Sequence, residues 1–138
     1  MRSQLRRTLA VVCAAAVLSL AGVANAAVHP HAKRSTILDL DMSKQSLLNF
    51  HQILHAHLTN ESGEPVPGAN IRMFTPGHAL LCERVTDTRG DATCDAPLAA
   101  PLELVNENVN GCNARFDGSD HYLPSEAHAP ATLVIGDM

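Results

Sequence analysis

Apolar and polar residues alternate in short runs over most of the chain, and the runs are separated by clusters of Gly, Pro, Asn and Asp. Alternation with a period of two marks strands that keep one face in a core. Residues 36–42 (TILDLDM) carry the first such run. A second, 50–59 (FHQILHAHLT), places Phe50, Gln52, Leu54, Ala56 and Leu58 on one face and His51, Ile53, His55 and His57 on the other. The intervening residues 43–49 fit either a loop turn or a single helical turn. Residues 60–65, with Gly63 and Pro65, read as a turn, and Gly68 opens a strand running to Thr75. That strand sets Ala69, Ile71 and Met73 on one face and Asn70, Arg72 and Phe74 on the other. After Pro76 and Gly77, residues 79–87 and 91–96 flank Thr88-Arg89-Gly90 and predict a β-hairpin. Residues 97–110 are rich in Pro, Ala and Asn, and suggest only a weak strand at 102–105. Residues 112–116 alternate with Cys112, Ala114 and Phe116 inward, and 129–135 form a last β-prone run. About seven short strands with no amphipathic helix predict an all-β chain folded as an antiparallel sandwich.

The N-terminus changes the picture from one domain of 138 residues to a smaller one behind a leader. Arg2, Arg6 and Arg7, the apolar run 9–23 and the small-x-small close Ala24-Asn25-Ala26 have the grammar of a secretory signal peptide cleaved after Ala26. Residues 27–35 then read as a flexible arm broken by Pro30, and 36–138 as the sandwich domain. No later run is long and apolar enough to predict a membrane span, so the expectation is a protein exported to the cell envelope or beyond, without membrane insertion after processing. Loss of three arginines moves the net charge from −4 to −7. That acidic balance argues against nucleic acid or an anionic membrane as partner.

Composition adds a need for a staple. Only three Phe and one Tyr are present, with no Trp, so the core must rest on aliphatic side chains. Cysteines in an oxidising compartment are expected to pair. Of the three that follow the leader, Cys82 and Cys94 are the expected disulfide, closing the hairpin, and Cys112 is left over. The register sets a condition: if Asp87 pairs with Gly90, residue 83 rather than 82 lies opposite 94, so the bridge requires a bulge or strands that part company. Cys112, on an inward face, reads as a small buried hydrophobe or as the link of a disulfide-bonded dimer.

Chemistry beyond this is sparse. Arg89, Gly90 and Asp91 spell a cell-attachment tripeptide at the expected hairpin tip, and also suit an ordinary surface turn. Cleavage after Ala26 would leave Ala27-Val28-His29 at the N-terminus, where a free amine and an imidazole can wrap Cu(II) or Ni(II), with His31 nearby. Asp39 with Asp41, and Asp117 with Asp120, are acid pairs that read as solvated, the second also as a weak calcium pair. No nucleophile elbow, zinc-protease helix or phosphate loop occurs, so neither an enzyme nor a cofactor is expected.

Three motifs then stand in order: ESGEPVPGANIRMFT, LLCERVTDTRGDATC and ARFDGSDHYLPSEA. With them, residues 52–135 resemble the bacterial immunoglobulin-like domains that occur as repeats in exported surface proteins. Within these motifs Pro65 fixes a turn, Gly68 starts a strand, Asp87 accepts backbone N–H groups and Gly90 takes a positive φ. Phe116, Gly118 and Tyr122 close the end of the sandwich. The resemblance implies an immunoglobulin-like sandwich acting as a non-catalytic module for binding, adhesion or spacing, with a protein or carbohydrate ligand. The chain departs from the family in its single copy and in Cys112, where an aromatic or β-branched residue is usual. Competing readings are an envelope copper or nickel protein using the His29 and His31 arm, and a small secreted inhibitor or effector.

Overall fold

The structure is a computed structural model that describes residues 31–136. From Ala32 the chain forms one compact unit of two packed sheets. Its first strands are β1 (Thr36–Leu40), β2 (Ser43–Ser46) and β3 (His51–Asn60), followed by β4 (Asn70–Phe74), β5 (Leu80–Val85) and β6 (Asp91–Pro97). A helix, α1 (Pro101–Asn110), leads to β7 (Cys112–Phe116), β8 (Ser125–Ala129) and β9 (Ala131–Val134). One sheet holds β9, β2 with β1, β3 and β6; the other runs β5-β4-β7-β8. With β3 beside β6 and β4 beside β7, this is an immunoglobulin-like all-β sandwich.

The strands number nine rather than seven: β2 occupies part of 43–49, expected as a turn or helical turn, and β8 lies ahead of the expected run 129–135. β1 and β2 both run antiparallel to β3 along one edge, with Leu40 opposite Ala56 but Lys44 opposite Ile53, so the β1–β2 side carries one extra residue. Asp41 N–H donates to the His55 carbonyl at this bulge, 2.9 Å. A bulge reverses side-chain parity. Met42, which simple alternation would turn inward, is therefore exposed, and Ser43 and Gln45 enter the interior. At the other terminus Pro130, which has no N–H to donate, separates β8 from β9. β8 stays on β7, whereas β9 crosses to pair in parallel with β2.

The core follows the predicted faces. Leu54, Ala56 and Leu58 of β3, Ile71 and Met73 of β4, Ala92, Cys94 and Ala96 of β6 and Cys112, Ala114 and Phe116 of β7 are all buried. Phe50 is a correction: it precedes β3 in a turn with φ of 55°, and its ring lies in solvent.

The predicted hairpin is overturned. β5 pairs with β4 and β6 pairs with β3, so the two strands flanking the 87–91 turn belong to different sheets. Polar anchors cause the divergence. Thr86 is bound into the 66–69 turn, its Oγ1 donating to the Val66 carbonyl at 2.6 Å and accepting from Ala69 N–H at 2.9 Å. Four residues later the Gly90 carbonyl accepts from Leu58 N–H, 2.9 Å, and seats the chain on β3. The Cys82–Cys94 disulfide, with Cα atoms 6.4 Å apart, therefore joins the edge strands of the two sheets rather than closing a ladder. This satisfies the register condition by parting the strands, with no bulge in a hairpin.

The weak strand at 102–105 is likewise corrected to the first half of α1. Pro101 at the first helical position and Glu103 in the first turn favour a helix start, and Gly111, with φ of 75°, ends it by donating its N–H to the Glu107 carbonyl, 2.7 Å. Asparagine-rich composition hid the helix, since Asn is a poor interior helix former. No helix among the described residues is long and apolar enough to cross a membrane.

Candidate functional site

The most site-like feature lies on the outer face of the β4-β7-β8 sheet. Strand parity turns Arg72 and Phe74 of β4, Asn113 and Arg115 of β7 and Glu126 of β8 away from the core, and register sets Arg72 opposite Arg115 and Phe74 opposite Asn113. With His78 from the following turn they line a groove of about 430 Å³. Two arginines directly across a ladder repel each other unless a charge intervenes. Asp117 intervenes: Arg115 Nε lies 2.7 Å from its Oδ1, and Arg72 Nη2 pairs with its Oδ2. Glu126 adds a looser contact to Arg115 at 3.6 Å. The Arg72 guanidinium also stands 5.6 Å from the centre of the Phe74 ring, a cation–π arrangement. Each guanidinium carries five N–H donors in a planar fork, so one carboxylate leaves donors facing the groove.

His78 is held at the rim with φ of 67°, a conformation rare outside glycine. Its N–H donates to the Thr75 carbonyl at 3.0 Å, and Ala79 N–H donates to Thr75 Oγ1 at 3.1 Å, so the turn is fixed by Thr75.

The outer face of the other sheet carries a lattice of imidazoles and carboxylates. His51 Nδ1 lies 2.7 Å from Asp95 Oδ1, His55 Nδ1 lies 2.8 Å from Asp41 Oδ2, and His57 Nδ1 lies 2.8 Å from Asp91 Oδ1, with His55 Nε2 also 3.3 Å from that atom. The alternation of β3 predicts the histidine face; the aspartates arrive from β6 and from the bulge, which only the pairing of strands reveals. Asp39 lies opposite His57 in the same sheet. Among the described residues no group of three or more His, Cys, Asp or Glu side chains is placed to hold a metal ion. His29 lies outside the described residues, so of the proposed metal arm only His31 is described.

The Arg89-Gly90-Asp91 turn is not a hairpin tip. Gly90, with φ of 82°, is buried so closely that a Cβ there would lie 2.5 Å from the Leu58 carbonyl oxygen. Asp91 is engaged by His57 and His55, while Arg89 projects into solvent between Asp87 and Asp91 at 3.7 and 3.5 Å. Asp87 acts as expected: its Oδ1 accepts from Asp91 N–H at 3.0 Å and from Arg89 N–H at 2.8 Å, which holds its carboxyl below the usual range.

The remaining motif residues are structural. Pro65 bridges to Thr59, and Gly68 adopts φ of 72° with open space around it, so conformation rather than close approach explains the glycine. Phe116 is in the core, Gly118 turns against the Tyr122 carbonyl, and Tyr122 packs at the core's margin while bridging to Arg34. Asp117 is committed to the two arginines rather than to a pair with Asp120. Cys112 is fully buried, and burial, reinforced by the charge of Glu107, pushes its thiol up to about 12.

Sequence reasoning missed the groove, although it did place Arg72 and Phe74 together on the face opposite Ile71 and Met73. The missing signal is the strand order β4-β7-β8, which brings residues 72, 113 and 126 together. Comparison with protein-family models, with curated proteins and with solved structures finds no match to this chain.

Proposed function

We propose that this chain is an exported, non-catalytic immunoglobulin-like module that binds an acidic carbohydrate in the groove of the β4-β7-β8 sheet. The observation that carries the reading is the Arg72–Arg115 pair beside the outward Phe74, in a chain with only four aromatic residues. A guanidinium fork matches a carboxylate, an aromatic face accepts the apolar face of a sugar ring, and the Asn113 amide suits hydroxyl groups. The signal-like leader and the resemblance to bacterial surface domains support an extracellular setting. The same resemblance leaves a spacer role as the competing reading, in which the groove has no ligand.

A glycan array probed with purified protein, followed by titration of a uronate-containing oligosaccharide, tests this. Binding should fall at least about tenfold in Phe74→Ala and in Arg115→Gln, the loss of one good charge-assisted or stacking contact. Absence of binding to every acidic glycan, or equal binding by both variants, would establish the spacer reading instead.

A further inference from the structure

Helix α1 is turned inside out. Leu102, Val105 and Val109, at the spacing of one helical face, are 87%, 63% and 75% exposed, whereas Glu107 is 0% exposed and Glu103, one turn before it, is partly buried. A helix docked on a core ordinarily does the reverse. An ionised carboxylate taken out of water is costly unless a positive group accompanies it. None does here: among the described residues neither glutamate joins an ion pair, and Glu103 Oε2 and Glu107 Oε1 are buried with no hydrogen-bond partner.

Uncharged polar side chains lie beside Glu107. Ser43, Gln45 and Gln52, brought inward by the β1–β2 bulge and by β3, are all fully buried. The Gln45 amide donates to Glu107 Oε2 and accepts from Asn108 at 2.8 Å, while the Gln52 carbonyl oxygen accepts from Ser43 Oγ at 3.3 Å. The chamber holds no imidazole, and its one thiol, Cys112, stays protonated.

We propose that Glu103 and Glu107 form a binding site for a hard divalent cation of the calcium type, toward which the neighbouring Gln45 and Gln52 amides turn their oxygens, and Ser43 its hydroxyl, when the ion binds. Two carboxylates with uncharged oxygens are the donor set calcium takes. Magnesium demands a stricter octahedron, and transition metals favour nitrogen or thiolate. The site also reaches the groove: a Cβ on Gly77 would lie 2.7 Å from Glu103 Oε1, so the Glu103 carboxylate rests on the turn that carries His78. A cation there braces the rim. The proposal stands whether or not the groove binds a sugar.

Thermal unfolding of the purified protein in chelator and in ~1 mM calcium chloride tests it. Calcium should raise the wild-type midpoint by about 3 to 8 °C, the linkage expected of an extracellular-type site. Glu107→Gln, which removes the buried charge while keeping its shape, should unfold above wild type in chelator and gain nothing from calcium, so that the order of the two proteins reverses. Glu103→Gln should lose the calcium response as well and serves if Glu107→Gln does not fold. A wild-type midpoint indifferent to calcium would overturn the proposal, as would a calcium response retained in both variants; a Glu107 carboxyl buried in its neutral form would give the first result.

Discussion

Removing the Cys82–Cys94 bridge isolates what an inter-sheet staple does in an aromatic-poor sandwich. The perturbation is Cys82→Ala with Cys94→Ala, which leaves no unpaired thiol and adds no polar atom at Cys94, a fully buried position. The bridge spans a sequence separation of 12. On the chain-entropy model a loop of that size stabilises by about 3 kcal/mol, because the oxidised unfolded chain has fewer conformations to lose. At roughly 4 °C per kcal/mol for a unit of this size, the unfolding midpoint should drop by about 12 °C. Two further signatures separate an inter-sheet bridge from a hairpin clasp. The denaturant slope should rise, because the uncrosslinked chain unfolds to a more open state. Hydrogen exchange should quicken in β5 and β6, whose flank the bridge closes, while the opposite flank, closed by the crossing of β9 onto β2, keeps its protection. A loss under about 1 kcal/mol would refute the staple argument. Equal acceleration in every strand would refute the assignment of the bridge to one flank.

Three more outcomes follow from residues of the same region and of the core. Gly90→Ala should destabilise by about 2 to 4 kcal/mol, since its Cβ meets the Leu58 carbonyl oxygen at 2.5 Å and its φ is 82°, and the shift in urea midpoint measures it. Asp87→Ala should be less stable than wild type at neutral pH. Because the Asp87 carboxyl is held low by two backbone N–H groups, the wild-type advantage is present above the ordinary carboxylate pKa and disappears as pH falls through the depressed one; equal midpoints at pH 7 would contradict this. Cys112, buried with its thiol pushed up to about 12, should resist iodoacetamide in the native protein and react only on unfolding, and non-reducing gels should show monomer.

The sequence by itself determined the strand faces. Alternation gave the inner set of β3, the Ala69-Ile71-Met73 face beside β4 and the Cys112-Ala114-Phe116 face of β7, because one sheet face must be buried and the side-chain period is two whatever the partner. It also determined the turn chemistry at Asp87 and Gly90, which is local. The sequence predicts the pairing of Cys82 with Cys94 as the clasp of a hairpin that does not form; the structure keeps the pair but makes it a link between the two sheets. What only the tertiary structure decided is which strand lies beside which. The hairpin reading failed because Thr86 and Gly90 bind to segments twenty and thirty-two residues back in the chain, at Val66 and Leu58, and such contacts leave no local period. The one-residue bulge after Leu40 decided that Ser43 and Gln45 enter the core, and the docking of α1 decided that Glu107 follows them, against the ordinary preference of a carboxylate for water. The groove exists for the same reason: Arg72, Asn113 and Glu126 are far apart along the chain and meet only because β4, β7 and β8 lie side by side.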